Sequence, residues 1–126
     1  MSASWDIQKA IYNAIENTPY ITGVFDEPPT NQEYPYIVIG NMTEVPSNRH
    51  GSLGYENTIV LSIQTKPGAA GFKPAKEILN EVNSRINMVE LILDNFTMVK
   101  CHMENAESLR DDELRRIEAR YRVIAH

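Results

Sequence analysis

Residues 72–88 read FKPAKEILNEVNSRINM. Phe72, Ala75, Leu79, Val82 and Ile86 follow one another at steps of three and four, which draws one apolar stripe along a helix. Ile78 widens the stripe, while Lys73, Lys76, Glu77, Asn80, Glu81, Asn83 and Arg85 lie off it. Pro74 suits a first turn, where its missing N–H has no bond to lose. Gly68-Ala69-Ala70-Gly71 lets the chain turn just before. Such a helix must lay its stripe on something apolar, and the flanking segments read as a sheet.

On the N-terminal side, Tyr55 to Lys66 alternates. Tyr55, Asn57, Ile59, Leu61, Ile63 and Thr65 share one side; Glu56, Thr58, Val60, Ser62 and Gln64 share the other. Before it, Tyr36 to Met42 is rich in aromatic and β-branched residues and reads as a strand entered through Tyr34-Pro35. Thr43 to Gly54 between the two is polar and reads as a long mobile loop carrying Arg49 and His50. Ile21 to Phe25 suggests a short strand, followed by a proline-rich loop from Asp26 to Pro35. Ile7, Ile11, Ala14 and Ile15 predict a first helix to about Asn17, with Trp5 near its start, Ser4 as its cap and Thr18-Pro19 as its stop.

On the C-terminal side, Val89 to Leu93 either extends the helix or forms a connection, and Asp94-Asn95 signals a turn. Phe96 to Ala106 reads as a strand and the charged Glu107 to Glu113 as a turn. Leu114 to Ala125 alternates most clearly: Ile117, Ala119, Tyr121, Val123 and Ala125 point one way, and Arg116, Glu118, Arg120, Arg122 and Ile124 the other. A slip of one residue would bury three arginines, so the register is firm. The expectation is one α+β domain over residues 1–126, a mostly antiparallel sheet with two α-helices packed on one face.

Composition agrees with a globular chain: 126 residues, 42% hydrophobic and 23% charged. The longest strongly apolar run, Met88 to Leu93, is interrupted by Glu90 and far too short to span a bilayer, so no membrane partner is expected. The N-terminus lacks the basic and apolar regions of a secretion signal. A net charge of −5 argues against DNA binding over the whole surface.

The search for chemistry points away from catalysis. One cysteine, Cys101, permits no internal disulfide and no cysteine-based metal site. His50, His102 and His126 stand apart; Cys101 and His102 are neighbours whose side chains leave a strand on opposite faces. No Gly-x-Ser-x-Gly elbow or phosphate loop occurs. The Gly68–Gly71 run lacks the lysine and hydroxyl of a nucleotide loop, and Asp111-Asp112-Glu113 reads as a solvated turn. No cofactor or metal is expected. Two features remain. The arginine face Arg116, Arg120 and Arg122, with Arg115 and Arg110 nearby, is either a solvent face paired to Glu104 or Glu118, or a contact for an acidic partner or for DNA passing nearby. The Arg49–His50 segment is either a surface loop or one that becomes ordered against a neighbour.

The order of these pieces resembles a family over nearly the whole chain. The short N-terminal helix, Tyr34-Pro35-Tyr36-Ile37-Val38, the polar loop with Arg49-His50, the strand Asn57 to Thr65, the helix with Ala75-Lys76-Glu77-Ile78 and the closing Arg116-Ile117-Glu118-Ala119-Arg120-Tyr121-Arg122-Val123 carry it. The arrangement is similar to the small tail completion, or tail terminator and head–tail joining, proteins of long-tailed phages and prophages. The resemblance implies a non-enzymatic virion protein, assembled in the host cytoplasm. It implies self-association into a ring, typically a hexamer, on the head-proximal end of the tail tube. Its partners would be the tail tube protein and the head completion or connector protein. DNA would pass through the lumen without sequence-specific binding. Arg49, His50, Arg116, Arg120 and Arg122 are the candidate partner or subunit interface. The competing readings are a tail tube or minor tail component, a small host ligand-binding or enzyme domain, and a nucleic-acid binder using the arginine strand.

Overall fold

The computed structural model describes residues 3–47, 54–68, 71–96, 98–110 and 114–125. Helix α1 spans Ser4–Ile15 and buries Ile7, Ala10, Ile11 and Ile15 at the expected helical spacing. It ends two residues short of Asn17, because Thr18 folds back: its N–H and its hydroxyl both donate to the Ile15 carbonyl, at 3.0 and 2.6 Å. Ser4 is not the cap. It is the first helical residue, and Ala3 holds the N-cap position. Strand β1 is only Val24–Phe25, the end of the segment expected from Ile21.

Strand β2 spans Tyr36–Ser47, well past Met42. The pairing shifts between Ile39 and Met42 and then continues, with Thr43 opposite Thr58, Glu44 opposite Asn57 and Val45 opposite Glu56. Much of the expected Thr43–Gly54 loop is therefore the arm of a hairpin. Arg49 and His50 lie outside the described residues. A glycine suits the shift, since a Cβ on Gly40 would sit 3.2 Å from the Val60 carbonyl oxygen, a tight contact.

Strand β3, Gly54–Thr65, buries Tyr55, Asn57, Ile59, Leu61, Ile63 and Thr65 on one side, as its alternation predicts. Helix α2, Lys73–Ile86, buries Ala75, Ile78, Val82 and Ile86, and Leu79 is partly buried. Residues 87–96 form a connection rather than more helix. Strand β4, Met98–Arg110, continues through the expected turn at Glu107, because Glu107 to Arg110 pair with Glu118 to Arg115. Strand β5, Arg115–Ala125, buries Ile117, Ala119, Tyr121, Val123 and Ala125.

The sheet order is β1-β2-β3-β5-β4. Only β1 and β2 run parallel; the other neighbours are antiparallel. Both helices lie on one face, where their buried residues join those of the sheet in one cluster. This is the expected α+β architecture. It leaves two surfaces for partners: the bare face of the sheet and the outside of the helix layer.

Candidate assembly surfaces

Register decides which side chains reach the bare face of the sheet. Arg116, Glu118, Arg120 and Arg122 of β5 stand opposite Gln64, Ser62, Val60 and Thr58 of β3. On the other side they face Leu109, Glu107, Asn105 and His102 of β4. Arg116 lies 3.4 Å from Glu118, and Arg122 lies 3.2 Å from Glu104. These are the two acids expected to pair with the arginine strand. Both pairs are partly exposed, so each contributes at most about 1 kcal/mol. Arg120 is exposed between Val60 and Asn105, beside Glu107 and Glu118, and makes no ion pair among the described residues.

The five arginines do not form one patch. Arg115 faces the helix side, in register with Thr65 and Arg110. The Arg110 guanidinium lies 5.1 Å from the Phe72 ring centre, at the start of α2. Cys101 and His102 diverge as a strand requires: Cys101 is fully buried and His102 is half-buried opposite Arg122. Among the described residues there is no group of three or more His, Cys, Asp or Glu suited to a metal ion. Neither His50, His126 nor Asp111–Glu113 is described.

The outside of the helix layer holds the surface that periodicity missed. Trp5, expected near the start of the first helix, is 63% exposed. It stands four residues before Lys9 and seven before Tyr12, so all three share the outer side of α1. With Gln8, Asp26 and Ile39 they line an apolar groove of about 260 Å³. On the other flank of α1, Ala10, Asn13 and Ala14 border a second hollow with Glu90, Leu91, Ile92 and Asp94 of the connection. Polar bonds stitch that connection to the helix. Asp6 accepts from the backbone and side-chain nitrogens of Asn95, at 3.0 and 3.1 Å, and Lys9 is ion-paired with Asp94. The Asp94 hydrogen bond raises the Lys9 pKa, against an opposing effect of desolvation.

Comparison places this arrangement among virion proteins. The chain superposes on one from the "virion of native gene transfer agent (GTA) particle" with a TM-score of 0.86 and 23% identity, over 98% of this chain and 97% of that one. That likeness shows a shared fold. No curated protein matches the chain. The family model described as "Tail completion protein gp17" matches residues 7–126, and the chain belongs to that family. It is thus a structural tail protein of a phage-like particle, and its place is in the virion.

Proposed function

We propose that copies of the chain, six in the complete assembly, close into a ring on the head-proximal end of the tail tube. The ring stops tube elongation and presents a docking surface to the head connector. DNA passes through its lumen without sequence-specific contact. The family match over residues 7–126 carries this reading. The open rims of the sheet favour it too. Strand β1 pairs with β2 only at Ile37 and Val38, and β4 has a partner strand on one side only, its outer edge being bonded at Cys101 and Met103 to Met88 and Asn87. Unpaired strand edges invite a neighbour, and different edges meeting head to tail close rings.

In this reading residues 1–126 act as one domain, and Arg49 and His50, which lie between β2 and β3 in the sequence, contact a neighbour on assembly. Arg116, Arg120 and Arg122 face a partner or the lumen, with Arg120 the most available. The test is polymerisation of purified tube protein with and without the chain, viewed in negative stain. Tubes of arrested length bearing a ring at one end are expected. Unlimited growth in its presence overturns the reading, and tubes made by this chain alone would make it a tube protein. Lower hydrogen exchange around Arg49 and His50 in tail-bound protein is expected, and equal exchange removes that segment from the interface.

A further inference from the structure

Backbone direction divides the outer rim of β4 into a covered part and an open one. Cys101 and Met103 stand opposite Val123 and Tyr121 of β5. Their outward groups are taken: the Cys101 carbonyl accepts from the Met88 N–H, and the Met103 N–H donates to the Asn87 side chain. Backbone groups alternate sides along a strand. Ala106, Ser108 and Arg110 face Ala119, Ile117 and Arg115, in phase with that pair, so they too turn their N–H and C=O groups outward. No strand or backbone group meets them there among the described residues, and Ala106 to Ser108 are exposed. Such a rim is a template for another strand. The opposite rim is blunted by its sequence. Pro46 is in phase with Ile37, whose N–H points outward to Gly23, so an outward position there has no N–H to offer.

The piece that covers β4 is held by these bonds more than by packing. Met88 adopts φ +63°, a left-handed conformation that is costly for a residue with a side chain, and is 58% exposed. Val89 and Glu90 are exposed as well. The connection reaches the core only later, at Leu91, Leu93 and Phe96. We propose that Asn87 and Met88 are an edge guard: by occupying the outward groups of Cys101 and Met103 they keep the strand of another chain from running along the whole of β4. In a solution of this chain alone, the strand kept out is that of a second copy. The guard is a property of the single subunit and stands whether or not copies close on a tail tube.

Asn87→Ala removes the acceptor, frees the Met103 N–H and extends the open rim back to Met103. The experiment is sedimentation velocity of the intact chain and its variants from about 1 µM to about 1 mM, which brackets weak to moderate association, with amide exchange read on the same samples. Asn87→Ala should associate at a concentration about fivefold to tenfold below that of the natural chain, the gain of about one net hydrogen bond. Exchange at Met103, Ala106 and Ser108 should slow as it associates. Asn87→Asp keeps a side-chain acceptor and should behave as the natural chain does. Adding Ser108→Pro to Asn87→Ala deletes an outward N–H but no ladder bond, and should abolish the gain. Asn83→Ala takes the acceptor from the Tyr121 hydroxyl inside the fold, so it lowers the melting temperature without touching the rim and should not promote association. If Asn87→Ala associates no more readily than the natural chain, the guard is overturned. It is overturned equally if Asn83→Ala associates as readily as Asn87→Ala, or if association leaves exchange at Met103, Ala106 and Ser108 unchanged.

Discussion

The carboxylate of Glu44 accepts a hydrogen bond from the backbone N–H of Ala3 at 3.0 Å, joining residues 41 apart in sequence. Ala3 is the N-cap of α1 and forms no side-chain cap bond. Glu44 supplies an acceptor from another element, and its negative charge stands at the positive end of the helix dipole. It reaches that position because β2 continues past the register shift and brings Glu44 opposite the buried Asn57. Glu44→Ala should cost about 1–2 kcal/mol, the scale of a lost cap. The urea midpoint should fall at unchanged slope, and Glu44→Gln, which keeps an acceptor, should fall less. Identical midpoints for the natural and alanine chains would remove the carboxylate from the account.

Asn57 works against the fold it belongs to. It is fully buried, and neither its amide oxygen nor its amide nitrogen has a hydrogen-bond partner among the described residues. Its neighbours in register are Glu44 and Val123. An unpaired buried amide costs about 1–3 kcal/mol. Asn57→Val removes that cost and suits a strand, so the variant should melt higher and need more urea to unfold. A lower midpoint would mean that the amide has a polar partner in solution, such as an enclosed water.

How far the fold could be read depended on how regular each period was. Strand β5 was legible throughout, because Ile117 to Ala125 alternate without interruption. The far half of β2 was not: the shift at Gly40-Asn41 changes the phase, so Thr43 to Ser47 resembled a polar loop. The end of β4 was hidden for a different reason. Glu107, Ser108 and Arg110 are exposed, so the segment has little apolar side to display. On the surface, the arginine side of β5 followed from its register, including the pairing with Glu104 and Glu118. The groove beside α1 did not. Trp5 and Tyr12 stand outside the Ile7, Ile11, Ala14 and Ile15 stripe, and only the packing shows that they are left uncovered along a groove. A bond such as Glu44 to Ala3 leaves no local pattern at all.

Asn87 decides where α2 stops. Its backbone turns extended at ψ 119°, and its side-chain oxygen accepts the Met103 N–H at 2.8 Å. The next residue, Met88, sits at φ +63° and donates its N–H to the Cys101 carbonyl at 2.7 Å. Together these bonds occupy the part of the β4 edge nearest α2. Asn87→Ala leaves the Met103 N–H without its acceptor and should cost about 1–2 kcal/mol. Amide exchange at Met103 should rise more than at Tyr121, its neighbour across the β4–β5 ladder. Unchanged exchange at Met103 would show that the side-chain bond is dispensable.

Alkaline pH should weaken the fold through two buried groups that touch the same core. Burial pushes the Cys101 thiol from 9.0 up to about 12. Burial also raises the Tyr121 hydroxyl, with a smaller contribution from Cys101, and that hydroxyl donates to the Asn83 side chain. Both groups stay neutral in the folded chain at a pH where the unfolded chain has begun to ionise them. Their contribution is therefore complete below the unfolded values and is lost as pH rises through the folded ones, a window of 9.0 to about 12 for the thiol. At about 1.4 kcal/mol per unit, the thiol accounts for a loss of up to about 4 kcal/mol at the top of that window. Cys101→Val keeps an apolar side chain of similar size but has no proton to lose, so its urea midpoint should decline less between pH 9 and pH 11 than that of the natural chain. The part of the decline that survives the substitution should track Tyr121. If the two chains lose stability in parallel across that interval, the thiol is not the group that ionises.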